Sequence, residues 1–337
     1  MNPIQSALLA LPPEAAHNLA MSALGAARLL PGQVSPIAGA DRPFLGKVLR
    51  NPIGLAAGLD KNAEAVLGLA RCGFGFVEVG TVTPLAQSGN PRPRMFRLPE
   101  HQALINRMGF NNHGMHAMAR RLDTVRSSGR LDGTLLGVNL GKNKDTPNDE
   151  AASDYVKGMD CLHRYADYFT VNLSSPNTPN LRQLQHGEPL RMLLSEVKER
   201  QAALAGQSTP VPLLLKVAPD LAEDEVEQIA EQACACEFDG IIATNTTLSR
   251  DAVAGHKHAA QAGGLSGAPL THRSVEVVSQ LRRVLPASMT VVGVGGISSD
   301  EDARAMLAAG ASALQIYTSF IYKGTKLVRN LVRATSK

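Results

Sequence analysis

Cysteine is scarce in this sequence, which argues against a small disulfide-stabilised secreted domain. The 337 residues include four cysteines, at positions 72, 161, 234 and 236, and this scatter does not resemble a disulfide framework. Cys234 and Cys236 share a helical pattern, but no nearby histidine completes a zinc set. We therefore expect small, buried, unpaired cysteines, a reducing compartment and no metal.

Long apolar runs and clusters of basic residues are also absent. No stretch of about 18 apolar residues occurs, so no membrane-spanning helix is predicted, and the first residues lack the Lys and Arg of a signal peptide. The net charge is only +4 and basic residues are dispersed, so nucleic acid is not indicated as a partner. This mild excess is compatible with an anionic surface or substrate.

The first 30 residues predict two helices separated by Pro12 and Pro13. The second helix carries apolar residues at helical spacing, at positions 16, 19, 20, 23, 24 and 27. Residues 31–50 predict a linker to a different kind of structure. The length and the 44% hydrophobic content suit one large domain with a small appendage.

Eight short apolar runs, rich in branched residues, follow this appendage. They span residues 53–56, 76–79, 135–140, 168–173, 213–217, 240–244, 290–294 and 313–316. Continuous apolar runs suit strands buried on both faces, and these alternate with helical segments such as 224–237 and 299–309. Eight such units predict an α/β fold, a (β/α)8 TIM barrel. The Pro- and Arg-rich segment 89–112 does not fit the repeat and predicts an inserted loop or hairpin.

Polar residues and glycine are concentrated where each predicted strand ends. The chemistry of such barrels lies at the C-terminal ends of the strands, so these residues predict a ligand-binding mouth. Gly295-Gly296, the glycine-rich segment 263–267 and the helix that begins at Ser299 favour a phosphate site, because they present backbone N–H groups. The alternative is that these glycines only form tight turns.

Lys216 ends a predicted buried strand, where a cation requires a partner or a shifted pKa. Three interpretations are open. Lys216 could form a Schiff base, it could stabilise negative charge on a reduced flavin, or it could form a salt bridge with Asp220. The polar neighbours at the other strand ends favour the flavin.

The string from Asn172 to Pro179 places two serines at a strand end, followed by a rigid proline-bounded turn. Ser175 could act as a base only through a relay, for example Thr178 and water, because the string has no histidine or carboxylate. The absence of a G-x-S-x-G motif argues against a serine hydrolase.

Side-chain amides in segment 106–112 and at the strand ends suit a planar substrate with N–H and C=O groups, and Lys61 suits its carboxylate.

Nine strings carry a family resemblance. They are NPIGLAAGLDK (51–61), GTVTP (80–84), NRMGFNN (106–112), NLGKNKDT (139–146), NLSSPNTP (172–179), KVAPD (216–220), ATNTT (243–247), GGLSG (263–267) and GVGGI (293–297). In this order they resemble the dihydroorotate dehydrogenases. Ser175 stands where the soluble class of that family carries cysteine, so this serine, string 139–146 and the N-terminal helices resemble the quinone-dependent class.

The resemblance implies oxidation of (S)-dihydroorotate to orotate in pyrimidine biosynthesis, with FMN as hydride acceptor and quinone as final acceptor. Ser175 would be the catalytic base that removes the C5 proton while the C6 hydrogen passes as hydride to N5 of FMN. The implied substrate-binding residues are Lys61, Asn106, Arg107, Met108, Gly109, Phe110, Asn172, Asn177, Asn245 and Thr246. The implied FMN-binding residues are Ala57, Gly58, Leu59, Asp60, Lys61, Thr81, Asn139, Asn172, Lys216, Thr244, Gly267, Gly296, Tyr317 and Thr318. The implied quinone-site residues are His17, Arg97 and Tyr317.

The resemblance also gives the appendage a role. We expect residues 1–40 to form a quinone tunnel and a peripheral contact with the cytoplasmic face of the inner membrane, and residues 41–337 to form the FMN-binding barrel of a monomer. The alternatives are a soluble dehydrogenase of the same family, a flavin-dependent pyrimidine reductase, a Schiff-base lyase using Lys216, and a cofactor-binding scaffold without activity.

Overall fold

The computed structural model describes residues 3–336. Its strands are β1 (Arg42–Phe44), β2 (Lys47–Leu49), β3 (Ile53–Leu55), β4 (Phe76–Val82), β5 (Met95–Leu98), β6 (Ala103–Asn106), β7 (Leu135–Leu140), β8 (Tyr168–Asn172), β9 (Leu213–Val217), β10 (Gly240–Ala243), β11 (Gly264–Gly267), β12 (Thr290–Val294) and β13 (Ala313–Ile316). Its α-helices are α1 (Pro3–Ala10), α2 (Pro13–Ala26), α3 (Val66–Ala70), α4 (Met115–Ser127), α5 (Ala151–Leu162), α6 (Gly187–Ala205), α7 (Glu223–Ala235), α8 (Thr271–Val284), α9 (Asp300–Ala308) and α10 (Thr318–Thr335).

Eight parallel strands form a closed barrel, in the order β3, β4, β7, β8, β9, β10, β12 and β13. Each strand pairs with its predecessor in this order, and β13 pairs with β3 to close the barrel. These are the eight apolar runs predicted from the sequence, and a helix follows each of them. The (β/α)8 prediction is confirmed, because strands covered by helices outside and side chains inside are buried on both faces.

A short hairpin closes the N-terminal end of the barrel. Strands β1 and β2 pair antiparallel, and Phe44 is buried against the rings of Phe76 and Tyr168, with centroids 5.3 and 5.9 Å away. The prediction of a linker over residues 31–50 is therefore wrong for the second half of this segment. Plugging one end of the barrel leaves the opposite end as its open mouth.

The inserted segment forms part of a second sheet beside the barrel mouth. Strands β5 and β6 form a hairpin, as predicted for segment 89–112, and β11 pairs antiparallel with β6. The glycine-rich segment 263–267 is thus largely an edge strand rather than a loop. Through this pairing, the segments after β4 and after β10 are held together over one side of the mouth.

The N-terminal helices α1 and α2 are separated at Pro12, as predicted. Helix α2 lies so close to α3 that a Cβ atom on Gly68 would be 2.1 Å from the Leu24 carbonyl oxygen. Of the predicted apolar stripe only Ala16 is buried, whereas Leu19 is 55% exposed. Within residues 3–336, no helix has the length and apolar character needed to cross a membrane.

Candidate active site

A cavity opens at the C-terminal ends of the barrel strands. The predicted site residues that line it are Ala57, Gly58, Lys61, Thr81, Asn106, Met108, Gly109, Phe110, Asn172, Ser175, Asn177, Lys216, Thr244, Asn245, Thr246, Gly267, Gly296, Tyr317 and Thr318. The fold thus brings together most of the residues singled out in the sequence, because each one follows a barrel strand or belongs to the adjoining small sheet.

Four of the predicted substrate-binding and FMN-binding residues lie outside the cavity lining. Leu59 lines the neighbouring groove beside the N-terminal helices, and the Asp60 carboxylate accepts hydrogen bonds from backbone N–H groups that precede α3. Arg107 donates to the Pro93 carbonyl at 2.7 Å and lies over the ring of Phe96. Asn139 is fully buried beneath the cavity floor. These side chains support the wall rather than form it.

Three amide and hydroxyl side chains join each other at the cavity floor. Thr81 Oγ1 donates to Asn139 Oδ1 at 2.6 Å. Asn172 Nδ2 donates to the same oxygen and to Thr81 Oγ1, both at 3.1 Å. The network fixes the orientation of the two amides, so that the floor presents polar groups in defined positions.

The floor rests on a buried carboxylate that sequence reasoning missed. Glu78 is fully buried and accepts hydrogen bonds from Asn139 Nδ2 at 2.7 Å, Gln315 Nε2 at 2.7 Å and Tyr168 OH at 3.0 Å. Gln315, also unpredicted, lines the cavity. The available signal was the presence of a glutamate and a glutamine inside strands that are otherwise apolar.

Lys216 lines the cavity as a buried cation. Burial lowers its pKa, and the negative charge of Glu78 opposes that shift. The alternative of a salt bridge with Asp220 is wrong, because the Asp220 carboxylate instead bonds Arg182 at 2.8 Å and the Thr247 hydroxyl. Within the described chain Lys216 forms no ion pair, so its charge is available to a ligand.

Ser175 lies in the cavity wall and is 5% exposed. Its Oγ accepts a hydrogen bond from the backbone N–H of Asn177 at 3.2 Å. Among the described residues no histidine or carboxylate bonds Ser175, which agrees with the expectation that any base function needs a relay. The neighbouring Ser174 has a structural role, since its Oγ bonds Asn172 and Asn245.

Lys61 follows β3, the first barrel strand, and lies where the cavity approaches the N-terminal extension. Its Nζ donates to the Gly58 carbonyl at 2.6 Å. Burial and the charge of Arg94 lower the pKa of Lys61 to about 8, against the opposing charges of Asp60 and Glu14. Lys61 is therefore a buried cation that an anionic ligand would stabilise.

Glycine and a helix N-terminus meet at one end of the cavity. Gly267 has φ +101° and Gly296 has φ +74°, and a Cβ on Gly296 would lie 2.4 Å from the Thr271 nitrogen. The helix that begins here is α10, at Thr318, whose hydroxyl lies 2.8 Å from Ser266 Oγ. The helix that follows Ser299 was expected at this position, but Ser299 caps α9 and lines a different groove.

That second groove lies between the N-terminal helices, the β5–β6 hairpin and α10. It contains two of the three residues implied for a quinone, His17 and Arg97, whereas Tyr317 lies in the cavity wall. Arg97 donates to the carbonyl oxygens of Leu9 at 2.9 Å and Leu11 at 2.6 Å. Burial and the charge of Lys61 lower the pKa of His17 to about 3, although Glu14 opposes this.

The chain is similar to known proteins along nearly its whole length. A family described as dihydroorotate dehydrogenase matches residues 40–336. The chain is 49% identical over 339 residues to dihydroorotate dehydrogenase (quinone) of Marinobacter nauticus, covering 99% of this chain and 98% of the relative. It is 50% identical over 335 residues to the protein of the same name of Paraburkholderia xenovorans, covering 98% and 97%.

Solved structures agree with these relatives. The crystal structure of DHODH from Eimeria tenella in complex with ferulenol has a TM-score of 0.90 and 38% identity, covering 98% of this chain and 93% of that chain. The ligand-free structure from the same organism has a TM-score of 0.86 and 40% identity, covering 95% and 93%. The similarity therefore extends over the barrel, the small sheet and the N-terminal helices.

Proposed function

The chain belongs to the dihydroorotate dehydrogenase family, and we propose that it is a quinone-dependent member that oxidises (S)-dihydroorotate to orotate in pyrimidine biosynthesis. The reaction removes a proton from C5 and a hydrogen with two electrons from C6, and the electrons reach a quinone, which becomes a quinol. The observation that carries the proposal is that Ser175 and two buried lysines, Lys61 and Lys216, line the same cavity.

The cavity fits a flavin, and we infer that this flavin is FMN. Gln315 Oε1 is a buried polar atom of the lining that has no partner among the described residues, and Lys216 is a buried cation without an ion pair. A planar ring with N–H and C=O groups would satisfy such atoms. At the other end, glycine N–H groups and the N-terminus of α10 suit one phosphate group. When bound, FMN supplies the acceptor for the hydride and the route of electrons to the quinone.

The family resemblance implies which residues would hold FMN. The implied set consists of Ala57, Gly58, Lys61, Thr81, Asn172, Lys216, Thr244, Gly267, Gly296, Tyr317 and Thr318 in the lining, with Leu59, Asp60 and Asn139 beside it. Lys216 would stabilise negative charge on the reduced ring, because a buried cation acts strongly at low dielectric. Gly267 and Gly296 would allow the backbone to approach the phosphate closely.

The substrate would be held above this floor by cationic and amide side chains. Lys61 would pair with the carboxylate, and the amides of Asn106, Asn172, Asn177 and Asn245 would bond the ring N–H and C=O groups. Asn177 Nδ2 already donates to the Asn106 carbonyl at 3.2 Å, which joins two sides of the substrate wall. Met108, Gly109, Phe110 and Thr246 complete the lining, and Arg107 supports it from outside.

Ser175 would remove the C5 proton. Its Oγ is kept in place by the Asn177 N–H, and burial excludes competing water from the reacting atoms. The proton must then pass onward, and the buried Thr178 and the neighbouring Phe110 define the implied route. A positioned base of this kind contributes on the order of 100- to 10,000-fold to the rate.

We further propose that residues 1–40 form the quinone site and contact a membrane surface. The groove that contains His17 and Arg97 lies between the helices α1 and α2 on one side and α10 and the β5–β6 hairpin on the other. Four large side chains of this extension are exposed, at Leu11, Leu19, Leu29 and Leu30, which suits a helix pair lying in the interface. A peripheral monomer at the cytoplasmic face of the membrane is consistent with this arrangement.

An anaerobic absorbance spectrum of the purified protein tests the proposal. We expect a flavin spectrum that bleaches when dihydroorotate is added and returns when a quinone is added. A flavin that remains oxidised would reject the substrate. A protein that cannot take up FMN would reject the cofactor site, and borohydride trapping at Lys216 would then test the Schiff-base alternative.

A further inference from the structure

A buried arginine connects the N-terminal extension to the candidate substrate site. Arg94 precedes β5, and its side chain is only 6% exposed. Its Nε and Nη2 atoms donate to Glu14 Oε1 of α2 at 3.2 and 2.8 Å. Its Nη1 atom donates to the carbonyl oxygens of Ser88 and Asn90 at 2.6 and 3.0 Å. One guanidinium thus binds the extension on one side and the loop that precedes β5 on the other.

The same loop contacts the segment that carries Ser175. Asn90 Nδ2 donates to the Asn177 carbonyl at 3.4 Å, and the Asn90 backbone N–H donates to the Met108 carbonyl at 3.0 Å. Asn177 in turn donates its backbone N–H to Ser175 Oγ. A continuous set of polar contacts therefore runs from α2 to the proposed base and the substrate amides.

The loop has little freedom to take another path. Gly89 has φ +76°, and a Cβ at this position would lie 2.2 Å from the Met108 carbonyl oxygen and 2.9 Å from Arg94 Nη1. Because the backbone is packed this closely, a shift of the Arg94 guanidinium must move the loop with it. Movement of the loop would then displace Asn177.

Glu14 is the acidic partner that keeps Arg94 in place. Within residues 3–336, Arg94 forms its one ion pair with Glu14. Arg92 also contacts Glu14, at 3.1 Å, but its side chain is 68% exposed. A buried guanidinium without a counter-charge is costly, whereas an exposed one is solvated by water. Loss of the Glu14 charge should therefore affect Arg94 much more than Arg92.

We propose that Glu14 is a positioning residue of the substrate site, acting through Arg94 on the loop at residues 88–90 and on Asn177. The extension would then serve both halves of the reaction rather than the quinone half alone. This inference rests on the proposed function, because it treats orotate and dihydroorotate as the ligands of the site.

The charge of Glu14 also acts on Lys61. The charged and titratable groups near Lys61 are Glu14 and His17 of α2, Arg94 of the loop that precedes β5, and Asp60 of its own segment. Arg94 lowers the pKa of Lys61, and Glu14 and Asp60 raise it. Neutralising Glu14 leaves only Asp60 to oppose the effects of burial and Arg94, so Lys61 should lose its proton at a lower pH.

The test measures orotate binding to the flavin-loaded protein by perturbation of the flavin absorbance, at pH values on both sides of 8. We expect Glu14→Gln to weaken orotate binding by about tenfold, and to lower the pH at which affinity is lost. Arg92→Gln is the matched control, since it removes the exposed partner of the same carboxylate, and it should bind within about twofold of the parent. Glu14→Asp, which keeps the charge, should recover most of the pH profile. If Glu14→Gln does not fold, Arg94→Lys takes its place, because it keeps the buried cation but lacks the planar fork that bonds Glu14 and the Ser88 and Asn90 carbonyls together, and it should weaken orotate binding by a similar factor.

The outcomes are distinguishable. An unchanged orotate dissociation constant and pH profile in Glu14→Gln, with only a lower melting temperature, would reduce Glu14 to a structural contact and overturn the inference alone. Equal losses in Glu14→Gln and Arg92→Gln would also overturn it, because the effect would not pass through Arg94. A parent protein that binds FMN but not orotate would instead overturn the proposed function.

Discussion

Asn139 Nδ2 donates a 2.7 Å hydrogen bond to Glu78 Oε1, and this contact ties the cavity floor to the interior of the barrel. Glu78 accepts three hydrogen bonds in total from separate barrel strands. It also supplies the negative charge that offsets the burial of Lys216. One carboxylate therefore sets the orientation of two amides and supports one cation below the proposed flavin.

Replacing this carboxylate tests its importance to the fold. Glu78→Gln should lower the free energy of unfolding by about 3 kcal/mol, because the new NH2 group cannot accept the bonds and Lys216 loses its opposing charge. Chemical denaturation of both proteins measures the difference. Glu231→Gln, on the exposed face of α7, is the control and should be neutral. A loss no larger than that of the control would contradict this account of Glu78.

Substitution of Ser175 tests the proposed base. Ser175→Ala should retain FMN, but dihydroorotate should reduce the flavin at least about 100-fold more slowly, because the proposed base is removed. Ser175→Cys restores an ionisable group and should recover part of the rate. Anaerobic stopped-flow absorbance measures both. Near-normal reduction in the alanine variant would reject the assignment.

The barrel was predictable because its signal is local. A parallel strand covered on both faces is a short apolar run, and each of the eight runs contains enough residues to be recognised by itself. The hairpin of β1 and β2 was not predictable in this way, because only one of the three residues in each strand is buried and neither strand is a continuous apolar run. The hairpin is stabilised by the burial of Phe44 against Phe76 and Tyr168, and these two rings come together only in the closed barrel.

The cavity lining was also largely predictable, since its residues follow the strands and match family strings. The supporting residues were not. Glu78 and Gln315 are 237 positions apart, and each looks like an isolated polar residue inside an apolar run. Arg94 lies in a Pro- and Arg-rich segment that resembles a solvated loop, and its burial depends on Glu14 from a distant helix. Such contacts depend on tertiary packing that the local pattern does not contain.

The pKa of Lys61 predicts how substrate affinity varies with pH. Only the protonated amine attracts a carboxylate, and this form predominates below about 8. As the pH rises above that value, binding must first restore the proton, so the orotate dissociation constant should increase by about tenfold per pH unit. Titration of the flavin-loaded protein measures this. Lys61→Met should bind weakly and without this pH dependence, whereas a flat profile in the parent would show that Lys61 does not hold the carboxylate.

Arg97 offers a separate test of the quinone groove. It holds the end of α1 through the Leu9 and Leu11 carbonyl oxygens, so Arg97→Ala should loosen one wall of the groove. We expect turnover with quinone to fall by about tenfold, roughly the effect of losing one charged hydrogen-bonding group. Flavin reduction by dihydroorotate should remain within about twofold, because Arg97 does not line the substrate cavity. Arg304→Ala, an exposed arginine of α9, controls for the loss of a positive charge.

A single substitution is a sharper test here than removal of residues 1–30. The resemblance to the quinone-dependent class predicts that such a deletion spares flavin reduction and impairs quinone turnover. The structure places Glu14 in the deleted segment, and Glu14 neutralises Arg94 beside the substrate wall. The deletion should therefore also raise the KM for dihydroorotate, while leaving the reduction rate at saturation much less affected. Arg97→Ala avoids this overlap. A fall in quinone turnover at an unchanged KM for dihydroorotate would assign the groove to the electron acceptor. Equal effects on quinone turnover and on the KM for dihydroorotate would reject that assignment.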